Sequence, residues 1–560
     1  MGNKSMVNKI YYLPVVLACS LFLFSGCTYV NKVKEINEVP PIVEVPVETF
    51  HEIDVIELEE APVEEEESVT PDVQEPEPEL AEYTLSLEEC RALTLENNLD
   101  LRVKLIDPTI QRERLGQEEA KYEATFSESV NYSKSNQISA SRIQGSKSDT
   151  VTIDLGVDMP LRTGGTLSFK LNDRFNKTDS GFYDPVSYTA GLTASISQPL
   201  LKGAGRRADT YSLRVAKYNS QTTDLRTKVE AIRILSEVEK AYWDLYSARR
   251  MLEVRKQQLD ESKAIYEETK RFVEVGSKPK IDIIKTRKAV TEKLSDIIDA
   301  ENDIRKKERD LKRKLNKKGM GIETKTIIIT SSPPDPVRYK IDRKSMVEHA
   351  LENRMEILET EIQLILDNMK IEDARNKTLP DLSFQYDYNI NGVSPERGDS
   401  YDMLLDRDSN SHTFLLRMNI PIGNKSAKSQ LRQAIYERAQ NLAKKENKEA
   451  EIKSDVLNKI DNLEANWQKI LARRANTIVA DEEYRAEKRR YELGLVSSTD
   501  FLKSHTALAV AQRSEIASIT DYQKALIDLA EATGTLLGAS KVEWEPFVPG
   551  NDNMVVKSAN

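Results

Sequence analysis

From about residue 84 onward, apolar positions recur with two periods, seven residues and two. Val238, Leu245, Leu252, Leu259, Tyr266 and Val273 stand seven apart, and Val456, Leu463, Ile470, Thr477, Tyr484 and Tyr491 repeat the spacing. A sustained heptad keeps one apolar seam turned toward a neighbouring helix, so these stretches predict coiled-coil packing rather than a globular core. The first long helix is expected from about Arg206 to Val275, roughly 100 Å at 1.5 Å per residue. A medium helix is expected before it, from about Leu101 to Tyr122. The helix returning after Asp500 carries two stripes, Leu502, Ala509 and Ile516 on one and Leu508, Tyr522 and Leu529 on the other. Two stripes suit a helix with a neighbour on each side. Period two appears at Val151, Ile153, Leu155 and Val157, at Leu167, Phe169 and Leu171, and at Ala190, Leu192, Ala194 and Ile196. It returns at Leu382, Phe384, Tyr386, Tyr388 and Ile390 and at Phe414, Leu416, Met418 and Ile420. These predict strands of about ten residues with one apolar face, separated by polar loops such as 135–149 and 391–411. Periodicity alone fits a membrane barrel or a soluble antiparallel sheet with one wet face.

The order of elements occurs twice. Leu95-Glu96-Asn97 recurs as Leu351-Glu352-Asn353 and Tyr132 as Tyr388, at an offset of 256. Pro199 pairs with Pro421 at an offset of 222, and Val238, Leu245, Tyr266, Gly276 and Asp282 pair with Val456, Leu463, Tyr484, Gly494 and Asp500 at 218. The offset falls by 34 between Tyr132 and Pro199, so the first copy holds extra residues there, about the length of a β-hairpin. The expected organisation is a first repeat over 84–318, a linker over 319–341, a second repeat over 342–540 and a tail over 541–560.

The N-terminus differs in kind. Lys4 and Lys9 precede an apolar run from Leu13 to Phe24, too short to span a bilayer, and then Ser25-Gly26-Cys27. This is the arrangement of a secretory signal over 1–26, and it resembles a lipoprotein lipobox in which Cys27 is lipidated and becomes the first residue. Thr28 behind it is not the Asp that tends to retain lipoproteins in the inner membrane, so the resemblance implies the outer membrane. Residues 27–83 are rich in Pro, Glu and Val, with Glu64-Glu65-Glu66-Glu67 among them, and read as an acidic disordered tether. Processing would leave Cys90 as the free thiol, so no disulfide framework is expected.

Composition adds mostly exclusions. Charged residues make up 31% of the chain with a net charge of -11, and Lys and Arg are interspersed with Asp and Glu. No concentrated basic surface for nucleic acid is indicated. The four histidines are scattered, neither His-x-x-x-His nor paired cysteines occur, and Gly203-Ala204-Gly205-Arg206-Arg207 lacks the Lys-Ser/Thr of a phosphate loop. No active site, metal or cofactor is expected.

With these features in hand, the chain from about Leu85 to Leu537 resembles the TolC-type outer-membrane factors. The resemblance is carried by the duplicated helix, strand and long-hairpin order, by Gln198-Pro199-Leu200 and Ile420-Pro421-Ile422-Gly423 where strands enter helices, and by the turn from Tyr491 through Gly494 to Asp500. It implies a mainly α fold with a β membrane part: a homotrimeric β-barrel that continues into a periplasmic α-helical barrel. It further implies a passive conduit for efflux or type I secretion that meets a periplasmic adaptor and an inner-membrane transporter. A lipid-anchored coiled-coil scaffold without a pore is the rival reading. Carried over by position, Gly276 and Gly494 are hairpin-turn glycines, and Leu495 and Thr499 lie on the adaptor-docking pattern. Asp282, Tyr491 and Asp500 lie at the pore entrance, where Lys503 stands in place of a second acid and would favour anions or dock acidic partners. Ser277, Lys278 and Pro279 depart from the usual apolar residues at the first turn. Asp500 also suits a helix N-cap, and Tyr491 the last position of the heptad seam.

Overall fold

A computed structural model describes residues 82–136, 147–179, 184–407 and 409–539, together with the backbone of two short paired strands, Val542–Trp544 and Val556–Ser558. The signal segment, Cys27 and most of the acidic tether lie outside the described residues. The chain opens with β1 (Glu82–Leu85), α1 (Leu87–Asn97) and α2 (Leu99–Glu119), followed by strands β2 (Thr125–Asn136), β3 (Lys147–Pro160), β4 (Thr166–Thr178) and β5 (Val186–Pro199). Then come α3 (Tyr211–Glu274) and α4 (Ile281–Leu315). After β6 (Ile327–Thr330) the pattern recurs as α5 (Arg343–Asn353), α6 (Met355–Lys377), β7 (Asp381–Ser394), α7 (Arg397–Asp406), β8 (Asn410–Asn419), α8 (Lys425–Glu492) and α9 (Ser498–Ala532).

The two copies match in length: α3 has 64 residues and α8 has 68, while α4 and α9 have 35 each. Local chemistry sets the breaks. Ser86, Asn98, Asp342 and Ser497 cap helix N-termini through side-chain oxygens that accept a backbone N–H two or three residues on. Gly276 and Gly494 adopt φ of 77° and 74° at the hairpin turns, a region costly for a residue with a Cβ.

The heptad seam is the core in the second copy, where Val456, Leu463, Ile470 and Tyr491 are buried. In the first copy Val238, Leu245 and Leu259 are buried, but nearer the turn burial passes to Ser262, Ile265 and Thr269. Ser262 and Thr269 continue the heptad position of Ala241 and Ala248, three residues after each seam residue, so near the turn the contact stripe is carried by the second position of the same repeat. Helix α9 packs on both α8 and α3, as its two stripes predict, and α3 is the common neighbour of α2, α4, α6 and α9.

Six strands form one antiparallel sheet in the order β2-β3-β4-β5-β7-β8. The extra residues of the first copy are the β3–β4 hairpin, inserted within the sheet between the counterparts of β7 and β8. Three features differ from the sequence reading. The polar run 391–411 holds helix α7, although polar composition suggested only a loop. The linker 319–341 contains β6, and the tether ends early because Glu82 and Tyr83 begin β1, which pairs in parallel with β6. Such pairing joins residues about 245 positions apart in the chain, and two apolar residues in a four-residue strand leave too little periodicity to detect it. The Tyr242 hydroxyl secures this patch, accepting from the Ser332 N–H at 2.9 Å and donating to the Leu85 carbonyl at 3.3 Å.

Candidate functional site

Two regions carry the residues singled out from the sequence: the sheet and the hairpin turns at the far ends of α3 and α8. In the sheet, register places every apolar alternation on one face. Phe126, Val157, Phe169, Ala194 and Tyr388 stand on neighbouring strands in a single cross-strand row, with Glu128, Asp149 and Asp173 as acidic exceptions on that face. The opposite face is polar and laced across strands. Asp154 accepts from Asn172 at 2.5 Å, Asp387 from Ser195 at 2.6 Å, and Thr193 donates to Asn389 at 2.7 Å. Helix α7 lies on the apolar face near the end remote from the long helices, with Leu404 against Ala190 and Ile390. Arg397 pairs with Asp173 and Tyr401 donates to it at 2.9 Å, so that acid is neutralised where it would otherwise be an apolar-face charge. Gly392 is required beneath the helix, since a Cβ there would meet the Ser400 carbonyl oxygen at 1.9 Å. Among the described residues neither edge strand has a neighbouring strand on its outer side, and β2 is exposed along nearly its whole length and β8 along all of it.

At the turns, Tyr491 is fully buried and is much more than a terminal seam residue. Its ring stacks on Phe501 at 4.8 Å between centroids and meets Phe272 edge-on at 6.3 Å. Thr269 spends its hydroxyl hydrogen on the Ile265 carbonyl, so the Tyr491 hydroxyl donates to Thr269 Oγ1 at 2.9 Å. Lys278, from the first turn, places its Nζ 3.4 Å from the Tyr491 ring centroid and 4.8 Å from that of Phe272. That ammonium has no hydrogen-bond partner among the described residues, and burial pushes its pKa below the ordinary lysine value. Attraction to the two ring faces takes the place of hydration. The departure at Lys278 is therefore an inward cation that joins the first hairpin to the second, because Phe272 and Thr269 lie on α3 and Tyr491 and Phe501 on α8 and α9.

Asp500 is not the N-cap. Ser497 is, and Asp500 sits in the first turn of α9, where its N–H donates to Ser497 Oγ at 3.2 Å and its carboxylate accepts from that hydroxyl at 2.7 Å. The Ser497 hydrogen bond first, and the Lys503 ammonium second, hold the Asp500 carboxyl below its usual range. Lys503 lies 3.4 Å from Asp500 on the same exposed face, so the position presents a neutralised pair rather than a bare cation. Asp282 is buried, with Lys285 at 3.3 Å. Leu495 is exposed and Thr499 half-buried. Val275, Ile281 and Ile284 are exposed about the first turn, an apolar set displaced by a few residues from the Ser277-Lys278-Pro279 segment.

One cluster near the turns escaped the sequence reading. His505 is buried and donates from Nε2 to Glu261 at 2.6 Å, while Tyr484 donates to the same oxygen at 3.2 Å. The His505 bond holds the Glu261 carboxyl below its ordinary value, and burial with the nearby carboxylate raises the Tyr484 hydroxyl to about 12. Tyr484 lay visibly on the heptad, but nothing in spacing linked His505 to an acid 244 residues earlier. Among the described residues no group of acids, histidines and cysteines could hold a metal, and no helix is long and apolar enough to cross a membrane.

Residues 91–317 and 346–535 match the profile of the outer membrane efflux protein family. The chain belongs to that family. No curated protein matches it by sequence. Its fold is similar to that of CusC, with a TM-score of 0.60 and 16% identity over 80% of this chain and 92% of that one. The Campylobacter jejuni CmeC outer membrane channel is similar at 0.61 and 15% identity, covering 80% and 86%, and the open state of the Neisseria gonorrhoeae MtrE channel at 0.56 and 17%, covering 80% and 89%. The mainly α architecture with a strand region, the efflux assignment, the outer-membrane location and the absence of an enzymatic role expected from the sequence agree with this family.

Proposed function

We propose that three copies of this chain form a continuous passive duct, with the sheets closed into an outer-membrane β-barrel and the long helices extending it across the periplasm. The observation that carries this reading is the open sheet, apolar on one face and polar on the other, with both edges unpaired and each copy attached to helices of about 100 Å. In lipid an unpaired edge is not tolerated, and six strands do not close by themselves at this register. Sister chains supply the missing edges. A pore-free scaffold has no use for a six-stranded sheet with an apolar exterior.

The far turns are the periplasmic entrance. Gly276 and Gly494 make the turns, Leu495 with the exposed Val275 and Ile281 offers apolar contact to a periplasmic adaptor, and Thr499 lies beside them. Tyr491 holds the entrance narrow, with Asp282, Asp500 and Lys503 setting its local charge. Because Lys503 is paired with Asp500, strong anion selection is not expected. An inner-membrane transporter supplies the energy, since a duct moves solutes only down their gradient. Cys27 carries the lipid, and the acidic segment behind it tethers that anchor to the barrel.

Purification in detergent should give a particle of about three times the 63.6 kDa chain mass, less the signal segment. In planar bilayers the Tyr491→Ala variant should conduct at least tenfold more than the parent, as a loosened entrance requires. A monomeric particle, or a trimer silent in both forms, would refute the duct. Mass spectrometry of Cys27→Ser, set against the parent chain, reads the loss of the lipid adduct.

A further inference from the structure

We infer that the trimer closes as an eighteen-stranded barrel through a seam between β8 of one copy and β2 of the next, in a register dictated by the internal duplication; this rests on the trimeric reading above. Strand β2 runs away from the long helices and β8 runs back toward them, so a β8–β2 contact between copies is antiparallel and continues the alternation of the sheet. Each copy already contains the equivalent junction. Strand β5 is the counterpart of β8 at the offset of 222, and β7 is the counterpart of β2 at 256.

Within the chain, Ala194 stands opposite Tyr388 and Ile196 opposite Tyr386. Translated by the two offsets, Leu416 falls opposite Tyr132 of a second copy and Met418 opposite Val130. All four lie on the apolar face. In the single chain they are 65%, 63%, 57% and 65% exposed, more than Ile196 at 39% or Leu192 at 37%, which already have neighbours on both sides. The same translation sets Arg417 opposite Asn131 on the polar face, where the internal pair is Ser195 with Asp387.

Width supports the count. Four helices meet the sheet in each copy: α2 leads into β2, β5 into α3, α6 into β7 and β8 into α8. At 8–10 Å between axes, four helices occupy about 32–40 Å of circumference. Strands about 4.8 Å apart and tilted by about 40° occupy about 6.3 Å each, so six span about 38 Å and four only about 25 Å. The β3–β4 hairpin thus matches the sheet to the helices it stands on. Eighteen strands give a wall about 36 Å across between backbones, of the size that encloses an aqueous channel, against about 24 Å for twelve. The exit then does not narrow relative to the helical duct, and a helical polypeptide about 10–12 Å wide fits as readily as a small solute.

The test uses the full chain carrying Cys90→Ala. Under oxidation, Asn131→Cys with Arg417→Cys should yield covalent dimers and closed trimers. Asn131→Cys with Leu415→Cys, two residues out of register, should crosslink at least tenfold less, because diagonal neighbours lie about 7–8 Å apart. Crosslinking only by the shifted pair, or by neither pair in a particle that is still trimeric, overturns the register while leaving the duct intact; a monomeric particle overturns the duct itself. For the width, deletion of residues 147–178 joins β2 to β5 at the rim where both already end. In a Tyr491→Ala background, polyethylene glycols entering from the outer side should be excluded above about 24 Å in the full chain and above about 12 Å in the deletion, taking about 6 Å of side chain from each wall. Equal cut-offs in two trimeric particles overturn the eighteen-strand count. If the deletion does not assemble, the full chain decides alone, since exclusion already above about 12 Å overturns the eighteen-strand count.

Discussion

Tyr491→Ala is the substitution that most directly tests how the hairpin ends are held. The ring is completely buried between Phe501 and Phe272, lies under the Lys278 ammonium and bonds Thr269 through its hydroxyl. Removing a buried aromatic costs about 3–5 kcal/mol, and the cation–π contact contributes about 1–2 kcal/mol of that loss when desolvated. Tyr491→Phe keeps ring, packing and cation contact and loses only the hydroxyl. Thr269 still donates to Ile265, so the cost should be near 0.5–1 kcal/mol. Global unfolding of a membrane assembly is a poor gauge, whereas local opening at the turns is measurable by hydrogen exchange over residues 262–285 and 484–505. At about 1.4 kcal/mol per factor of ten, the Ala variant should exchange about a hundredfold or more faster there, and the Phe variant less than about tenfold. The upper sheet should be unchanged in both. Exchange in the Ala variant within threefold of the parent would refute the claim that this residue joins the two hairpins.

Other perturbations follow from the same structure. Because His505 lowers the Glu261 carboxyl in the folded chain, the stability it contributes is fully present above the ordinary value of 4.5 and is lost as pH falls through the lowered one. Protection from exchange near residue 261, taken relative to the intrinsic rate at each pH, should therefore fall on acidification below about pH 4.5, and Glu261→Gln should flatten that dependence; an unchanged slope would remove the link. Gly392→Ala forces a Cβ into the Ser400 carbonyl and should free α7, making 395–409 cleavable by protease in a particle of unchanged size; protection equal to the parent would contradict the packing. Gly494→Ala, at a φ of 74°, should loosen the second turn by about 1–2 kcal/mol, read as faster exchange of residues 493–500.

The long hairpins were legible because burial on a helix leaves a periodic record: Val456, Leu463 and Ile470 lie on the seam their spacing predicts. The strands were legible for the same reason, and the falling offset between the two copies is enough to locate the β3–β4 hairpin in the chain. Where local pattern carried no imprint, reading failed. Helix α7 is held by Leu404 packing on Ala190 and by Arg397 pairing with Asp173, 224 residues earlier in the chain, so its ten residues look like a polar loop. Lys278 looked like a departure from an apolar pattern, and only its position over Tyr491 made it part of the contact between hairpins.

The sequence by itself determined the period of every long element, the duplication and the membrane-suited alternation, because each follows from contacts with near neighbours in the chain or from a repeated stretch of it. Tertiary structure decided which helix turn meets which. It also decided that His505 finds Glu261 and that the inserted hairpin joins the sheet. Those outcomes depend on side chains brought together from far apart in sequence, where a few tenths of an ångström separate contact from none and no periodic signal is left behind.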